Sequence, residues 1–110
     1  VLLNLMMNAV EAMASMPAPK RVLDIGTQTT EDGHVELSIT DSGPGLSSDE
    51  LKRLFQPFFT TKKHGLGLGL SICSTIVTSH HGRLTLSNAS GGGAIAIVLL
   101  PIVVQVAAAS

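Results

Sequence analysis

The sequence predicts an α+β fold, a two-layer sandwich in which helices lie on one face of a mixed β-sheet. Three observations predict this class. A mostly apolar helical segment opens the chain, two pairs of strand-like segments each enclose a glycine-containing turn, and two further helical segments lie between these pairs. The 110 residues are enough for one small domain with one hydrophobic core.

The opening segment, residues 1–15, is predicted to be a helix because it lacks proline and glycine and is rich in Leu, Met and Ala. Its polar residues recur every three or four positions, which places them on one face of the helix: Asn4, Asn8, Glu11 and Ser15. A narrow polar seam on an otherwise apolar helix indicates a polar cavity inside the protein. The helical pattern begins at Val1 without a capping residue, so we expect the domain to be truncated at its N-terminus.

The first strand pair is predicted at residues 21–28 and 34–41, with a turn at residues 31–33. The second strand alternates apolar and polar side chains, and Asp41 falls in phase with the apolar ones. We therefore expect a carboxylate at the strand end that is directed toward the core.

Two helices are predicted after Asp41. Ser47 and Glu50 have the spacing of a capping box, which starts a short helix whose inner face carries Leu51, Leu54 and Phe55. The longer helix follows residues 65–69, and Gly82 is its predicted C′ residue. Its inward side chains are predicted to be Leu70, Ile72, Cys73, Ile76 and Val77.

Residues 83–88 and 93–100 are predicted to complete the sheet as two strands joined by a glycine-rich turn. The longest apolar run, residues 94–104, is broken by Pro101 and is shorter than the roughly 20 residues of a membrane-spanning helix, so no membrane insertion is predicted. The net charge of −1, with both signs interspersed, predicts no nucleic-acid binding. Cys73 is the single cysteine, which excludes an internal disulfide and indicates a cytoplasmic setting.

Asn4 and Asn8 are the first candidate ligand-binding residues. Amides at positions i and i+4 of an apolar helix are costly to bury without partners. An amide oxygen is a suitable ligand for Mg²⁺, which takes one or two protein ligands together with phosphates and water. The alternative is that both amides bond to neighbouring backbone groups, and the two residues alone do not decide between these readings.

Two glycine-rich segments are further candidates. In residues 41–45, Asp41 could accept a hydrogen bond from an exocyclic amine such as that of adenine, although an ordinary tight turn explains the segment equally well. In residues 65–71, alternating glycines before a helix expose N–H groups to a phosphate. This pattern is neither the dinucleotide-binding fingerprint nor a Walker loop. Lys62 and Lys63 could neutralise phosphates or form a solvated charge pair.

Four segments, in this order along the chain, resemble the N, G1, F and G2 boxes of sensor histidine kinases. They are Asn4 to Met13, Asp41 to Gly45, Leu54 to Lys62, and Gly65 to Leu70. The resemblance extends over residues 1–101 and leaves residues 102–110 as a C-terminal tail. The variants of the N and F boxes are most similar to those of the subgroup of nitrogen-regulation, dicarboxylate-sensing and FixL-like kinases.

The resemblance implies the Bergerat-type ATP-binding fold of the GHKL superfamily, with ATP and Mg²⁺ as ligands. By analogy Asn8 ligates Mg²⁺, Asn4 lines the phosphate side, Asp41 binds the adenine amino group, and Gly43 and Gly45 shape the base pocket. Residues 46–66 form a lid anchored by Phe55 and Phe58. The phosphate side and the rest of the nucleotide contacts are expected at Thr61, Lys62, Gly65, Leu66, Gly67, Leu68, Gly69, Leu70 and Ser71.

The resemblance also implies transfer of the γ-phosphate to a histidine on a separate dimerisation domain, with Asn4, Asn8 and Lys62 as the catalytic residues. Gyrase-type relatives carry a glutamate base at the position of Asn4, and an amide cannot accept a proton near neutral pH. We therefore expect binding and transfer rather than hydrolysis. The four histidines, His34, His64, His80 and His81, are expected to be structural or solvent-facing.

The implied partners are the phosphoacceptor domain, the receiver domain of a response regulator, and a second copy in a full-length homodimer. Two alternatives stay open at this point. One is an anti-sigma-type serine kinase on the same fold, against which the long F box argues. The other is a nucleotide-sensing module that regulates a partner without phosphotransfer.

Overall fold

The computed structural model describes residues 1–56 and 69–102 of the chain. The described elements follow the predicted order and confirm the α+β class. They are α1 (Leu2–Ala12), a 3₁₀ turn (Ala18–Lys20), β1 (Leu23–Thr29), β2 (His34–Asp41), α2 (Ser48–Arg53), α3 (Gly69–Ser79), β3 (Arg83–Asn88) and β4 (Ala94–Pro101). Within these ranges no helix is long and apolar enough to cross a membrane.

The described strands form one sheet in the order β1-β2-β4-β3, and all three pairings are antiparallel. The prediction of a mixed sheet is therefore wrong for the described part of the chain. The strands β2 and β3 do run in the same direction, but they are not neighbours. The hairpin of β3 and β4 places its returning strand next to β2, so β4 separates the two parallel strands.

One hydrophobic core lies between the sheet and the helices α1 and α3, as expected for two layers. It is built where inward positions of the strands meet the buried faces of the two helices. Its buried members are Leu5, Ala9, Ile39, Cys73, Val77, Leu84, Ala96 and Val98. The helices are thereby held over one face of the sheet.

Helix α1 is shorter than predicted and ends at Ala12. The N–H groups of Met13 and Ala14 bond to carbonyls three residues back, which tightens the last turn and ends the α-helix. Ser15 therefore lies outside the helix, and the seam on α1 consists of Asn4, Asn8 and Glu11. A third face of the helix exposes apolar side chains, namely Leu3, Met7 and Val10.

The two middle helices agree with the prediction in part. Ser47 and Glu50 form the predicted capping box at the start of α2. In α3, Cys73 and Val77 are buried, whereas Ile72 and Ile76 are 49% and 41% exposed and were wrongly predicted to face inward. Each precedes a buried residue by one position, which turns it about 100° away from the core.

The residue that stops α3 is His81, so the prediction of Gly82 as C′ residue is wrong by one position. His81 has φ +62, its N–H bonds to the Thr78 carbonyl, and the Gly82 N–H bonds to the Val77 carbonyl. This is the hydrogen-bond pattern of a Schellman motif with His81 at C′. Gly82 is required for another reason: a Cβ atom there would lie 2.5 Å from the carbonyl oxygen of Leu99.

Candidate functional site

Asp41 is the buried charged residue of the described core, with 7% of its surface exposed at the end of β2. Its Oδ1 accepts hydrogen bonds from the N–H groups of Gly43, at 2.9 Å, and Ala94, at 3.2 Å. The predicted inward carboxylate is confirmed. Both bonds from the described residues use Oδ1 rather than Oδ2.

The loop after Asp41 runs close to three parts of the molecule. A Cβ atom at Gly43 would lie 3.0 Å from Asp41 Oδ1 and 3.1 Å from the Ala12 carbonyl oxygen. Gly45 has φ +78, and a Cβ atom there would lie 2.8 Å from Asn88 Oδ1. Gly45 is thus required by the fold itself, and a side chain at Gly43 would crowd Asp41 and Ala12. Their predicted contact with a nucleotide base stays a prediction.

Asn88, the last residue of β3, was missed in the sequence and holds this loop from the opposite side. Its Nδ2 donates to the Leu46 carbonyl at 2.8 Å, and its Oδ1 accepts from the Leu46 N–H at 2.7 Å. An Asn at the end of a strand, before a glycine-rich turn, is a weak signal. Nothing in the local pattern identifies its partner 42 residues away.

Ser42 fastens the same loop to the entry of β1. Its hydroxyl donates to the Lys20 carbonyl at 2.7 Å and accepts from the Val22 N–H at 2.8 Å. The buried Met13 lies beside it, with Sδ 3.3 Å from the Ser42 hydroxyl. The segment that begins with Asp41 is therefore held by backbone and side-chain bonds on both of its flanks.

The polar seam of α1 contacts α3 at Cys73. The Asn4 amide donates to Cys73 Sγ at 3.7 Å, and Asn4 is otherwise exposed while Asn8 is half-buried. Cys73 has no exposed surface. This contact brings the seam next to the helix whose first residues were predicted to bind phosphate, Gly69, Leu70 and Ser71.

Among the described residues, no atom lies within 4 Å of a Cβ atom placed at Gly69 in the first turn of α3. Leu70 packs against the hydrophobic core, as does Phe55 just after α2. Seven predicted site residues lie outside the described residues, and their roles stay predictions: Phe58, Thr61, Lys62, Gly65, Leu66, Gly67 and Leu68.

The donors of the seam suit Mg²⁺ that arrives with a nucleotide. Asn4 and Asn8 are one turn apart on α1 and supply neutral amide oxygens rather than a cage of carboxylates. Mg²⁺ retains several waters and is usually held by one or two protein oxygens plus phosphates. The residues present therefore fit a phosphate-bound Mg²⁺, with Asn8 as its predicted ligand.

A groove of about 460 Å³ also opens at this end of the sheet, and its lining includes Thr40, Asp41, Asn88 and Ile95. Thr40 and Ile95 alternate with the buried Asp41 and Ala96, so they point to the sheet face away from the helices. The groove is therefore separate from the seam of α1.

The described histidines lie away from the seam. His80 and His81 are exposed after α3, and His34 starts β2. His34 Nδ1 lies 3.1 Å from Asp32 Oδ1 in the hairpin turn. The Thr30 hydroxyl and then His34 hold the pKa of Asp32 below its usual value by hydrogen bonding to the carboxylate.

In a comparison with known protein families, residues 1–104 match the family described as histidine kinase-, DNA gyrase B-, and HSP90-like ATPase. The sensor protein TdiS of Thauera aromatica is 42% identical over 103 residues, which are 93% of this chain and 19% of TdiS. FixL of Bradyrhizobium diazoefficiens is 45% identical over 93 residues, which are 84% of this chain and 18% of FixL. The chain thus spans about a fifth of the length of these relatives.

Solved structures with similar folds are histidine kinases. The catalytic domain of ThkA is 35% identical, with a TM-score of 0.76 over 91% of this chain and 62% of that domain. Full-length ShkA, solved in complex with AMPPNP, is 28% identical, with a TM-score of 0.76 over 96% of this chain and 21% of ShkA. These neighbours confirm the fold class predicted from the sequence.

Proposed function

The chain belongs to the histidine kinase-, DNA gyrase B- and HSP90-like ATPases, and we propose that within this family it is the ATP-binding catalytic domain of a sensor histidine kinase. Its reaction is the transfer of the γ-phosphate of Mg·ATP to a histidine. Residues 1–101 form this domain, and residues 102–110 are a tail.

The observation that carries the proposal is the burial and hydrogen bonding of the Asp41 carboxylate. A buried carboxylate is unfavourable unless its oxygens are hydrogen-bonded. Here two backbone N–H groups fix Oδ1, and Oδ2 remains to accept from a ligand. An ionised carboxylate can only accept hydrogen bonds. It therefore pairs with the exocyclic amine of adenine, whereas a carbonyl at the same position would be repelled.

The phosphates lie, in this proposal, between the seam of α1 and the N-terminus of α3. The helix N-terminus offers N–H groups and the positive end of its dipole to an anion. Bound Mg²⁺ neutralises charge on the phosphates. Asn8 holds that ion, Asn4 lines the phosphate side, and Lys62 adds a positive charge.

Transfer rather than hydrolysis follows from Asn4. No described residue of the seam but Glu11 carries a carboxylate, and Glu11 lies two turns farther along α1. An amide at Asn4 cannot take a proton from water at neutral pH. The site therefore orients the γ-phosphate for attack by a nucleophile from outside the domain. In such a reaction the protein contributes mainly positioning and charge stabilisation.

The nucleophile is a histidine on a separate phosphoacceptor and dimerisation domain. The described histidines lie at the hairpin turn and after α3, and none lies on the seam. The product is a phosphohistidine that a response regulator receiver domain takes up. We place this reaction in the cytoplasm, in a homodimeric full-length kinase of the nitrogen-regulation and FixL-like subgroup.

The test is phosphotransfer from γ-labelled ATP. The chain is mixed with Mg²⁺ and a purified phosphoacceptor domain of a sensor histidine kinase. The expected product is an acid-labile, base-stable label on histidine. An acid-stable label on serine would favour the anti-sigma-type reading, and ATP binding without any transfer would favour a nucleotide-sensing module.

A further inference from the structure

We propose that Asn88 determines base selectivity by fixing the loop that follows Asp41 in one position relative to the Asp41 carboxylate. The inference rests on the proposed function, because it concerns the base of the nucleotide bound there. Asn88 would act as a positioning residue: it contacts the loop rather than the base.

The first step is the contact itself. Asn88 bonds to both main-chain groups of Leu46, donating to its carbonyl and accepting from its N–H at 2.8 and 2.7 Å. One amide side chain thereby pairs with the backbone as a neighbouring strand would. Two bonds to a single residue fix its orientation as well as its position.

The second step is the register of the hairpin. Asn88 is the cross-strand partner of Ala94, and the Ala94 N–H bonds to Asp41 Oδ1. A single rung of the β3–β4 ladder thus holds both ends of the loop, Asp41 at one end and Leu46 at the other. The distance between the carboxylate and the far side of the loop is therefore set by this rung.

The third step is the tight fit at Gly45. With φ +78 and a would-be Cβ atom 2.8 Å from Asn88 Oδ1, the loop passes directly against the Asn88 amide. Asn88 is otherwise exposed to solvent. Its truncation removes the clamp without opening a cavity in the core.

Selectivity follows from what a fixed loop prevents. Adenine presents an amine to Asp41, which can donate a hydrogen bond to the carboxylate. Guanine presents a carbonyl at the corresponding position, and two acceptors repel each other. A rigid site rejects the wrong base because its polar groups would be left unpaired. A loop freed from Asn88 lets the base shift until this mismatch is relieved, so discrimination falls.

The experiment measures the dissociation constants of Mg·ATP and Mg·GTP by calorimetry on the full chain and its variants. Asn88→Ala is expected to weaken ATP binding about fivefold and to lower the preference for ATP over GTP by a similar factor. Asn88→Asp keeps the acceptor for the Leu46 N–H but loses the donor, so it should shift both values in the same direction. Ser87→Ala, at the exposed neighbouring position of β3, is the control and should change neither.

An unchanged ATP-to-GTP preference in Asn88→Ala overturns the proposal, even if affinity or melting temperature falls, because that result shows a merely structural role. If circular dichroism shows that this variant does not fold, the preference of Asn88→Asp decides by the same criterion. The proposed function itself is tested separately, by titration of the unsubstituted chain. Failure of that chain to bind either nucleotide would overturn it.

Discussion

Asp41 and Asn4 divide the work of the proposed site at the scale of single residues. Asp41 is a charged acceptor held in place by the N–H groups of Gly43 and Ala94, so it can select a base by its hydrogen bonding. Asn4 is a neutral amide next to Cys73, so it can line a phosphate without activating water. In the proposed function, Asp41 recognises the base and Asn4 does not promote hydrolysis.

Asn4→Glu tests this division. A carboxylate at the exposed position of Asn4 can act as a general base on water, and we expect ATP hydrolysis to rise about tenfold or more. The readout is phosphate release under saturating Mg·ATP. Asn4→Gln is the matched control, since it has the length of glutamate without its basicity and should leave hydrolysis unchanged. Equal rates in the two variants would show that water is not positioned beside this residue.

The residue scale also shows what the sequence can and cannot predict. The inward direction of Asp41 follows from strict alternation along β2, which needs no knowledge of the rest of the fold. The role of Asn88 could not be predicted, because it is exposed and its partner Leu46 becomes adjacent only when β4 pairs with both β2 and β3. The ligand-binding and catalytic roles assigned to all the candidate site residues stay predictions.

At the scale of elements, helix α3 ends on a strained residue. His81 adopts φ +62, a conformation that costs a non-glycine residue roughly 1–2 kcal/mol. Gly82, one position later, does not relieve this strain, because its task is to let the chain pass within contact of β4. Glycine would therefore relieve strain at His81, whereas any side chain at Gly82 would introduce a clash.

His81→Gly is expected to stabilise the chain by about 0.5–1 kcal/mol, because the relief of strain exceeds the added entropy of the unfolded chain. The measurement is the free energy of unfolding in urea. Gly82→Ala should instead destabilise it, since the new Cβ atom would lie 2.5 Å from the Leu99 carbonyl oxygen. A lower stability in His81→Gly would refute the Schellman assignment.

Local patterns predicted the elements well and their arrangement less well. The bounds of β2 and the capping box of α2 were predicted correctly because alternation and Ser47 with Glu50 act within a few residues. The antiparallel pairing of β2 with β4 was not predicted, since it depends on which strand of the β3–β4 hairpin lies next to β2. Ile72 and Ile76 were wrongly predicted to face inward because the apolar face of α3 covers about half of its circumference and only part of that face is buried.

At the scale of the whole molecule, the fold brings together three segments that are far apart in the chain. The end of β2 carries Asp41, the seam of α1 carries Asn4 and Asn8, and α3 contacts that seam at Cys73. The hairpin of β3 and β4 ties the first of these to the start of α2 through Asn88. The sequence predicted this convergence only through its resemblance to a family, because sequence spacing contains no information on the packing of α1 against α3.

The central claim, that these segments enclose a site for Mg·ATP with Asp41 as the base-recognising group, is tested most directly by calorimetry on the chain and on Asp41→Asn. The variant keeps an oxygen for the N–H groups of Gly43 and Ala94 but presents an amide NH₂ donor in place of the acceptor Oδ2. We predict saturable binding of one Mg·ATP to the unsubstituted chain, and at least about tenfold weaker binding to a variant with the same melting temperature. No binding to the unsubstituted chain, or equal affinity in the variant, would contradict the account.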